Sequence, residues 1–243
     1  MRPGLSGFLV LLLAYTPAQG QNCPPPLDAA LRLVLVTAAS MSTPIATLRL
    51  FERNSVQESW RFLGVIEPAV VGRAGLGWGV DFWQYAHDGE RRKVEGDRRT
   101  PTGIYPLTRT FGFSASQRPG YLHIHEDTVC VDDPSSAAYN TITSRSVVGG
   151  KVRGEDMRRI ALYRRGIIID YPTDRRERAG SCIFFHVWSG PGQGTRGCVA
   201  LPDLKVASLQ DFVRSVAVAA ILPEVALSRF GTCLPTMSDV VPR

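Results

Sequence analysis

Two residues of this 243-residue chain have the right types to do chemistry together: His186 and Cys198, in "FFHVWSGPGQGTRGCVALP". A free thiol is mostly protonated at neutral pH, and an imidazole beside it can stabilise the thiolate or take its proton during attack. Between the two lie Pro191 and four glycines, Gly190, Gly192, Gly194 and Gly197. Such a loop can fold back and bring the side chains together. Gly197, directly before the sulfur, permits a tight turn, and the N–H groups of Gly197 and Cys198 could hold an oxyanion. The bare pair fits a second reading equally well, a satisfied histidine and a disulfide-bonded cysteine on a surface loop.

A competing constellation is "YLHIHEDTVCVDD", where His123 and His125 point to one side of a strand with Glu126, Asp127, Asp132 and Asp133 close by. Zinc needs three or four such ligands in fixed geometry. The chain has only His87 and His186 besides these two, and a polar strand face is the commoner outcome. No metal and no other cofactor is therefore expected. "DDPSSAAYN" reads as a turn whose carboxylates cap it or receive an amine.

The compartment decides how cysteines are read. "MRPGLSGFLVLLLAYTPAQGQNC" has a basic start at Arg2, an apolar run from Gly7 to Tyr15 and small residues before Gln21. That is the layout of a signal peptide over 1–20, with an apolar run too short to span a bilayer. No other stretch is apolar enough to cross, so no integral membrane segment is expected in the mature chain. The predicted location is the periplasm or cell-wall space. There, the net charge, +6 for the whole chain and +5 without Arg2, draws the protein to anionic wall polymers or headgroups, and nucleic acid is not a partner. Five cysteines remain after cleavage, Cys23, Cys130, Cys182, Cys198 and Cys233. In an oxidising compartment they tend to pair, and an odd number flags one free thiol.

The elements that must position His186 and Cys198 are mainly strands. "LRLVLVTA" is an apolar run. "IATLRLFERN" and "SWRFLGVIEPAVVG" read as a strand pair turning at Asn54 and Ser55. "GRAGLGWGVDF" reads as a glycine-rich loop, and "YLHIHEDTVCVDD" as one alternating strand. "EDMRRIALYRR" has Met157, Ile160 and Leu162 at roughly helical spacing. "GIIIDY" and "SCIFFHVW" are buried strands. "LPDLKVASLQDFVRSVAVAA" places Leu209, Phe212, Val213 and Val216 on one helical face. The fold class is mostly β with a few helices, without the regular alternation of a doubly wound sheet.

On these residues the chain resembles the L,D-transpeptidase catalytic domain, the YkuD-like family, in its exported ErfK/YbiS/YkuD branch. The pattern is His186, a glycine-bearing loop, then Thr195-Arg196-Gly197-Cys198. It is accompanied in order by "GDRRTPTGIYPL", "CVDDPSSAAYN", "EDMRR…LY" and "GSCIFFH". The resemblance spans about residues 60–222. Many members carry His where this chain has Arg196.

The resemblance implies the family's β fold, with His186 and Cys198 meeting in a cleft and acting on peptidoglycan stem peptides. Cys198 would attack the L,D peptide bond after the third stem residue, D-Ala would leave, and the thioester would pass to an amine. Water as acceptor would make a carboxypeptidase. Hydrolysis of wall-peptide linkages, a wall-attached protein as acceptor and a non-catalytic wall-binding protein are the alternatives. Thr195 and Arg196 are candidate substrate-binding residues, and the basic run Arg91, Arg92, Lys93, Arg98 and Arg99 is a candidate lid. With Cys198 as the free thiol, Cys130 and Cys182, each on a strand flanking the core, form one expected pair. Cys23 and Cys233, near the termini, form the other. The expected organisation is a signal peptide over 1–20, an N-terminal segment over 21–59, the catalytic domain over 60–233 and a tail over 234–243.

Overall fold

In the computed structural model, residues 23–214 and 216–240 are described; the predicted signal peptide lies outside them. Thirteen strands form among the described residues. The first three are β1 (Arg32–Ala38), β2 (Ile45–Glu52) and β3 (Arg61–Val70). Next come β4 (Leu76–Trp78), β5 (Thr100–Gly112), β6 (Leu122–His123) and β7 (Thr128–Val131). Then follow β8 (Ile142–Ser144), β9 (Gly154–Asp156), β10 (Arg165–Ile169), β11 (Phe184–Val187), β12 (Val199–Leu201) and β13 (Ala217–Pro223). The α-helices are a single turn, α1 (Arg145–Val148), and α2 (Asp203–Phe212). The fold is mostly β, as the sequence implied.

The large sheet runs β10-β11-β12-β3-β2-β1-β13-β5, and β10 also pairs with β5, so the ladder closes on itself. Closure removes the unpaired edges that an open sheet of this size would expose. The weakest seam is between β12 and β3, where Ala200 opposite Val70 is the single registered pair. β1 is buried on both faces after Arg32, which is why "LVLVTA" reads as an unbroken apolar run rather than an alternation. It pairs antiparallel with β2 and parallel with β13.

That pairing changes the organisation read from sequence. The boundary drawn at 59/60 is not a break in the fold, because β1 and β2 sit in the middle of the same sheet as β3 and β13. The residues after Phe212 also depart from the expected helix. α2 ends there, and "AVAAILP" becomes β13, all seven residues buried between β1 and β5. Small and β-branched side chains fit the tight two-sided contact of a central strand, so tertiary packing overrides alanine's helix propensity. Val216, expected on the helical face, is 55 % exposed instead.

Three further expectations shift locally. "GRAGLGWGVDF" is not all loop, since Leu76–Trp78 pairs with Thr100–Thr102. The strand expected through "YLHIHEDTVCVDD" is broken by a turn in which Thr128 N–H donates to His125 O. The helix expected over "EDMRRIALYRR" is β9 followed by two 3-10 turns, Met157–Arg159 and Ala161–Arg164. Ile160 between them has extended dihedrals, φ −97° and ψ 96°. β9 is held instead by β7.

Two disulfides join Cys23 to Cys233 and Cys130 to Cys182, and Cys198 is the free cysteine among the described residues. The first bridges 210 positions of chain. Around it, Trp60 Nε1 donates to Cys233 O at 3.1 Å and the Arg53 guanidinium stacks over Trp60 at 4.2 Å. Chain-entropy reasoning assigns such a loop about 5 kcal/mol. Replacing Cys23 and Cys233 together by Ser should therefore lower the unfolding free energy by several kcal/mol in urea titrations. A double variant within 1 kcal/mol of the parent would show that the bridge only decorates an already closed fold. Among the described residues, no helix is long and apolar enough to cross a membrane.

Candidate active site

His186 lies in β11, opposite Gly166 of β10 on one side and Ala200 of β12 on the other. β11 and β12 are parallel, with Phe185 facing Val199 and His186 facing Ala200. Side chains alternate along a strand, so a residue two positions before Ala200 points to the same face as Ala200 and its neighbour His186. That residue is Cys198. The sheet thus places imidazole and thiol on one face, diagonally across adjacent strands. α2 braces the far side through Gln210, whose Nε2 donates to Phe111 O and Gly166 O, both at 2.9 Å.

The glycine loop joins two adjacent parallel strands and docks on the end of β3. Thr195 N–H donates to Val71 O and Arg73 N–H to Thr195 O. Gly194 lies so close to Arg73 that a Cβ would sit 2.5 Å from the Arg73 Cα, so only glycine fits. Thr195 then locks the turn into Cys198. Its Oγ1 donates to Cys198 O at 2.6 Å and accepts from Gly197 N–H at 3.0 Å. Thr100 Oγ1 donates to the same carbonyl at 3.1 Å. Two hydroxyls therefore fix the backbone of the nucleophile candidate.

His186 is 5 % exposed and Cys198 7 %. His186 Nδ1 lies 2.7 Å from Val187 O. A carbonyl can only accept, so Nδ1 carries the proton and Nε2 is left with a lone pair. Burial pushes the imidazole pKa down to about 4, against a smaller upward pull from that hydrogen bond. Burial pushes the Cys198 thiol up to about 12, aided by the Glu155 carboxylate, while the Phe184 N–H, the Tyr163 hydroxyl and Lys93 pull it down. The resting pair is a neutral thiol and a neutral imidazole, not the ion pair that a solvated Cys–His couple would form. Sγ–H donates to Cys182 O at 3.3 Å.

Both side chains open into a cleft of about 490 Å³. Its walls carry acids (Glu95, Asp132, Glu155), arginines (Arg73, Arg98, Arg196) and the apolar Ile160 and Leu162. A cleft with both signs of charge suits a ligand bearing carboxylates and amines together. A larger hollow of about 780 Å³ beside the Cys23–Cys233 bridge is lined by no histidine and no free thiol, so chemistry is assigned to the smaller one.

Several residues take roles other than those read from sequence. Thr195 lines the cleft, and its hydroxyl also shapes the loop. Gly197 N–H is directed at Thr195 Oγ1, so of the two expected oxyanion donors it is already committed. Arg196 is exposed on the cleft wall. Of the basic run, Arg98 lines the cleft. Lys93 is buried against Asp97 at 2.6 Å, Arg99 bonds Met41 O and Leu76 O, and Arg92 stacks over Trp83 at 4.2 Å. Lys93 and Arg99 thus serve as scaffolding, while Arg91, Arg92 and Arg98 are exposed. The rings of His123 and His125 lie with centroids 4.3 Å apart and planes tilted at 53°. Among the described residues, no group of three or more His, Cys, Asp or Glu side chains gathers as metal ligands would.

Sequence reasoning missed the residues that support the pair. Asn140 accepts the Cys182 N–H at 2.9 Å and donates to Tyr171 O at 3.0 Å. Both Asn140 and Cys182 have positive φ, 60° and 56°, a conformation that persists only where neighbours dictate it. Glu95 accepts from Ser181 Oγ at 2.8 Å and from the Tyr139 hydroxyl. Glu155 accepts from Tyr163. All but Glu95 sit in stretches singled out above, but single residues in turns carry no periodic signal that would mark them.

No curated protein is a significant match to this chain. The family model for the YkuD L,D-transpeptidase catalytic domain matches residues 42–221, from before β2 into β13 and across His186, the glycine loop and Cys198. With nearly three-quarters of the sequence matched, and with the thiol and imidazole on one face of a mixed-charge cleft, this chain belongs to the YkuD family of L,D-transpeptidase catalytic domains.

Proposed function

We propose that this protein is an exported, cysteine-dependent L,D-transpeptidase that cross-links peptidoglycan stem peptides through a thioester on Cys198. The observation that carries the proposal is the placement of the one free cysteine of the described residues beside a histidine whose Nε2 is available as a base. The stem peptide lies in the cleft with its scissile carbonyl over Sγ. As Sγ bonds to the carbonyl carbon, its proton passes to His186 Nε2. Because the pair starts neutral, charge appears only during attack, and the Val187 carbonyl stabilises the imidazolium through Nδ1–H. The Cys198 N–H, the other expected donor, would hold the developing oxyanion. The C–N bond breaks, His186 returns the proton to the departing D-Ala amine, and a thioester remains. The amine of a second stem then attacks it, losing its proton to His186, and the thiol is restored.

The mixed charge of the cleft supports stem peptides, which present carboxylates and amines. The test incubates the pure protein with defined tetrapeptide stems and reads the products by mass. Cross-linked dimers with released D-Ala support the proposal. Tripeptide and D-Ala alone at high acceptor concentration would make the enzyme a carboxypeptidase, and release of a wall-linked protein would make it a hydrolase of that linkage. Added chelator should leave turnover unchanged; loss restored by zinc would instead promote His123 and His125.

A further inference from the structure

Tyr163 and Glu155 are unused by the mechanism above, yet both line the cleft beside its centre. Tyr163 is buried in the 3-10 turn Ala161–Arg164, 5 % exposed. Its ring meets His186 edge-on, centroids 5.3 Å apart and planes at 71°, and it packs in the same manner on Phe184 and Phe111. Its hydroxyl donates to Glu155 Oε2 at 2.6 Å and also stands within hydrogen-bonding reach of Cys198 Sγ. Glu155 is held in β9 opposite Cys130, next to the Cys130–Cys182 bridge. One tyrosine thus touches both members of the catalytic pair, and one carboxylate fixes that tyrosine.

A carboxylate is an unusual neighbour for a nucleophilic thiol, because it opposes the charge that the sulfur must acquire. We propose that Glu155 and Tyr163 form a reactivity-setting pair for Cys198: Tyr163, oriented by Glu155, keeps Sγ and the His186 ring in register, and the Glu155 charge restrains the sulfur. The proposal rests on Cys198 being the nucleophile. The groups that face Glu155 are the Tyr163 hydroxyl, Cys198, Asp132, Glu95 and Arg196; Asp132 and Glu95 disfavour its charge and Arg196 favours it. Burial, the largest effect, raises its pKa. Those that face Cys198 are Glu155, Tyr163, the Phe184 N–H and, from the next loop, Lys93. Lys93 is itself paired with Asp97, whereas the Glu155 charge disfavours the thiolate and no salt bridge to a cation holds Glu155 among the described residues.

The two functions separate experimentally. Glu155→Gln keeps an oxygen to accept from Tyr163 and removes the charge, whereas Tyr163→Phe removes the hydroxyl and keeps the ring. The readout is the rate of Cys198 alkylation by iodoacetamide from pH 6 to 11, followed by mass. It needs no stem peptide, so it stands or falls separately from transpeptidase turnover. Glu155→Gln should shift the profile about one unit toward lower pH. The thiolate fraction at pH 8 then rises about tenfold, and the rate about threefold to fourfold after the lower nucleophilicity of a more acidic thiol. Tyr163→Phe should shift it the other way. A purely structural role would leave the Glu155→Gln profile on that of the parent. Coincident profiles, in variants that retain both disulfides and the parent's melting temperature, overturn the proposal. Should Tyr163→Phe not fold, Glu155→Gln decides alone, and an unshifted profile overturns it.

Discussion

Cys198→Ala should abolish the release of D-Ala from tetrapeptide stems and the formation of dimers, while the protein unfolds cooperatively near the parent's melting temperature. The chemical half of that expectation follows from the thioester, since an alanine offers no atom to carry the acyl group. The stability half follows from what holds the site. The turn before Cys198 is fixed through its backbone by the Thr195 and Thr100 hydroxyls at 2.6 and 3.1 Å, and these contacts survive the substitution. The sulfur's own polar contacts are a weak one to Cys182 O and the nearby Tyr163 hydroxyl. Removing one buried sulfur leaves a void smaller than the Leu→Ala cavities that cost several kcal/mol, so about 1 kcal/mol is expected. Alanine also removes a titrating group. In the parent, a thiol held near pKa 12 when folded and 9 when unfolded contributes stability that is full below pH 9 and lost as pH rises toward 12. Cys198→Ala should flatten that alkaline limb. Stem turnover by the purified variant would remove Cys198 from the nucleophile's role.

How much of this site could be read from sequence depends on the kind of signal. The bare pair of His186 and Cys198 fitted a surface disulfide equally well, and it was the resemblance of Thr195-Arg196-Gly197-Cys198 with its upstream His to a family motif that made the site legible. What makes them one site, the parallel pairing of β11 and β12, was not legible, because pairing is a long-range property. β13 was misread for a related reason. "AVAA" (217–220) carries a helix-compatible composition, and only its position between β1 and β5 makes it a strand. Tyr163 and Glu155 were quoted within a motif, but their expected helix gave them no reason to meet the thiol. The 3-10 turns after β9 bring them there. The charge state of the pair was also hidden. A solvated Cys–His couple leans toward the ion pair, and burial of both side chains to within 5–7 % of full exclusion reverses that preference.

That reversal fixes what His186→Ala should do. Turnover should fall by roughly 10²–10⁴, the usual worth of a positioned general base, because the neutral thiol then has no acceptor for its proton. The parent's acid limb supplies the second signature. With its folded pKa near 4, His186 stays neutral and competent as a base well below the 6.5 of a free imidazole, so turnover should persist to about pH 4. Stability behaves differently. The folded pKa is depressed, so the unfolded chain binds a proton at His186 that the native state refuses. His186 therefore contributes stability that is intact above pH 6.5 and lost as pH falls toward 4. A gap of 2.5 units amounts to about 3 kcal/mol. His186→Ala should lose this portion of the acid destabilisation, so its urea-derived stability should fall less steeply between pH 6.5 and 4 than the parent's. The two measurements, steady-state rate and pH-dependent unfolding, probe the same buried imidazole from opposite sides. An unchanged rate with an unchanged alkylation profile would exclude His186 as the base. An acid limb near pH 6.5 in the parent would mean that water reaches the imidazole and that burial does not depress its pKa.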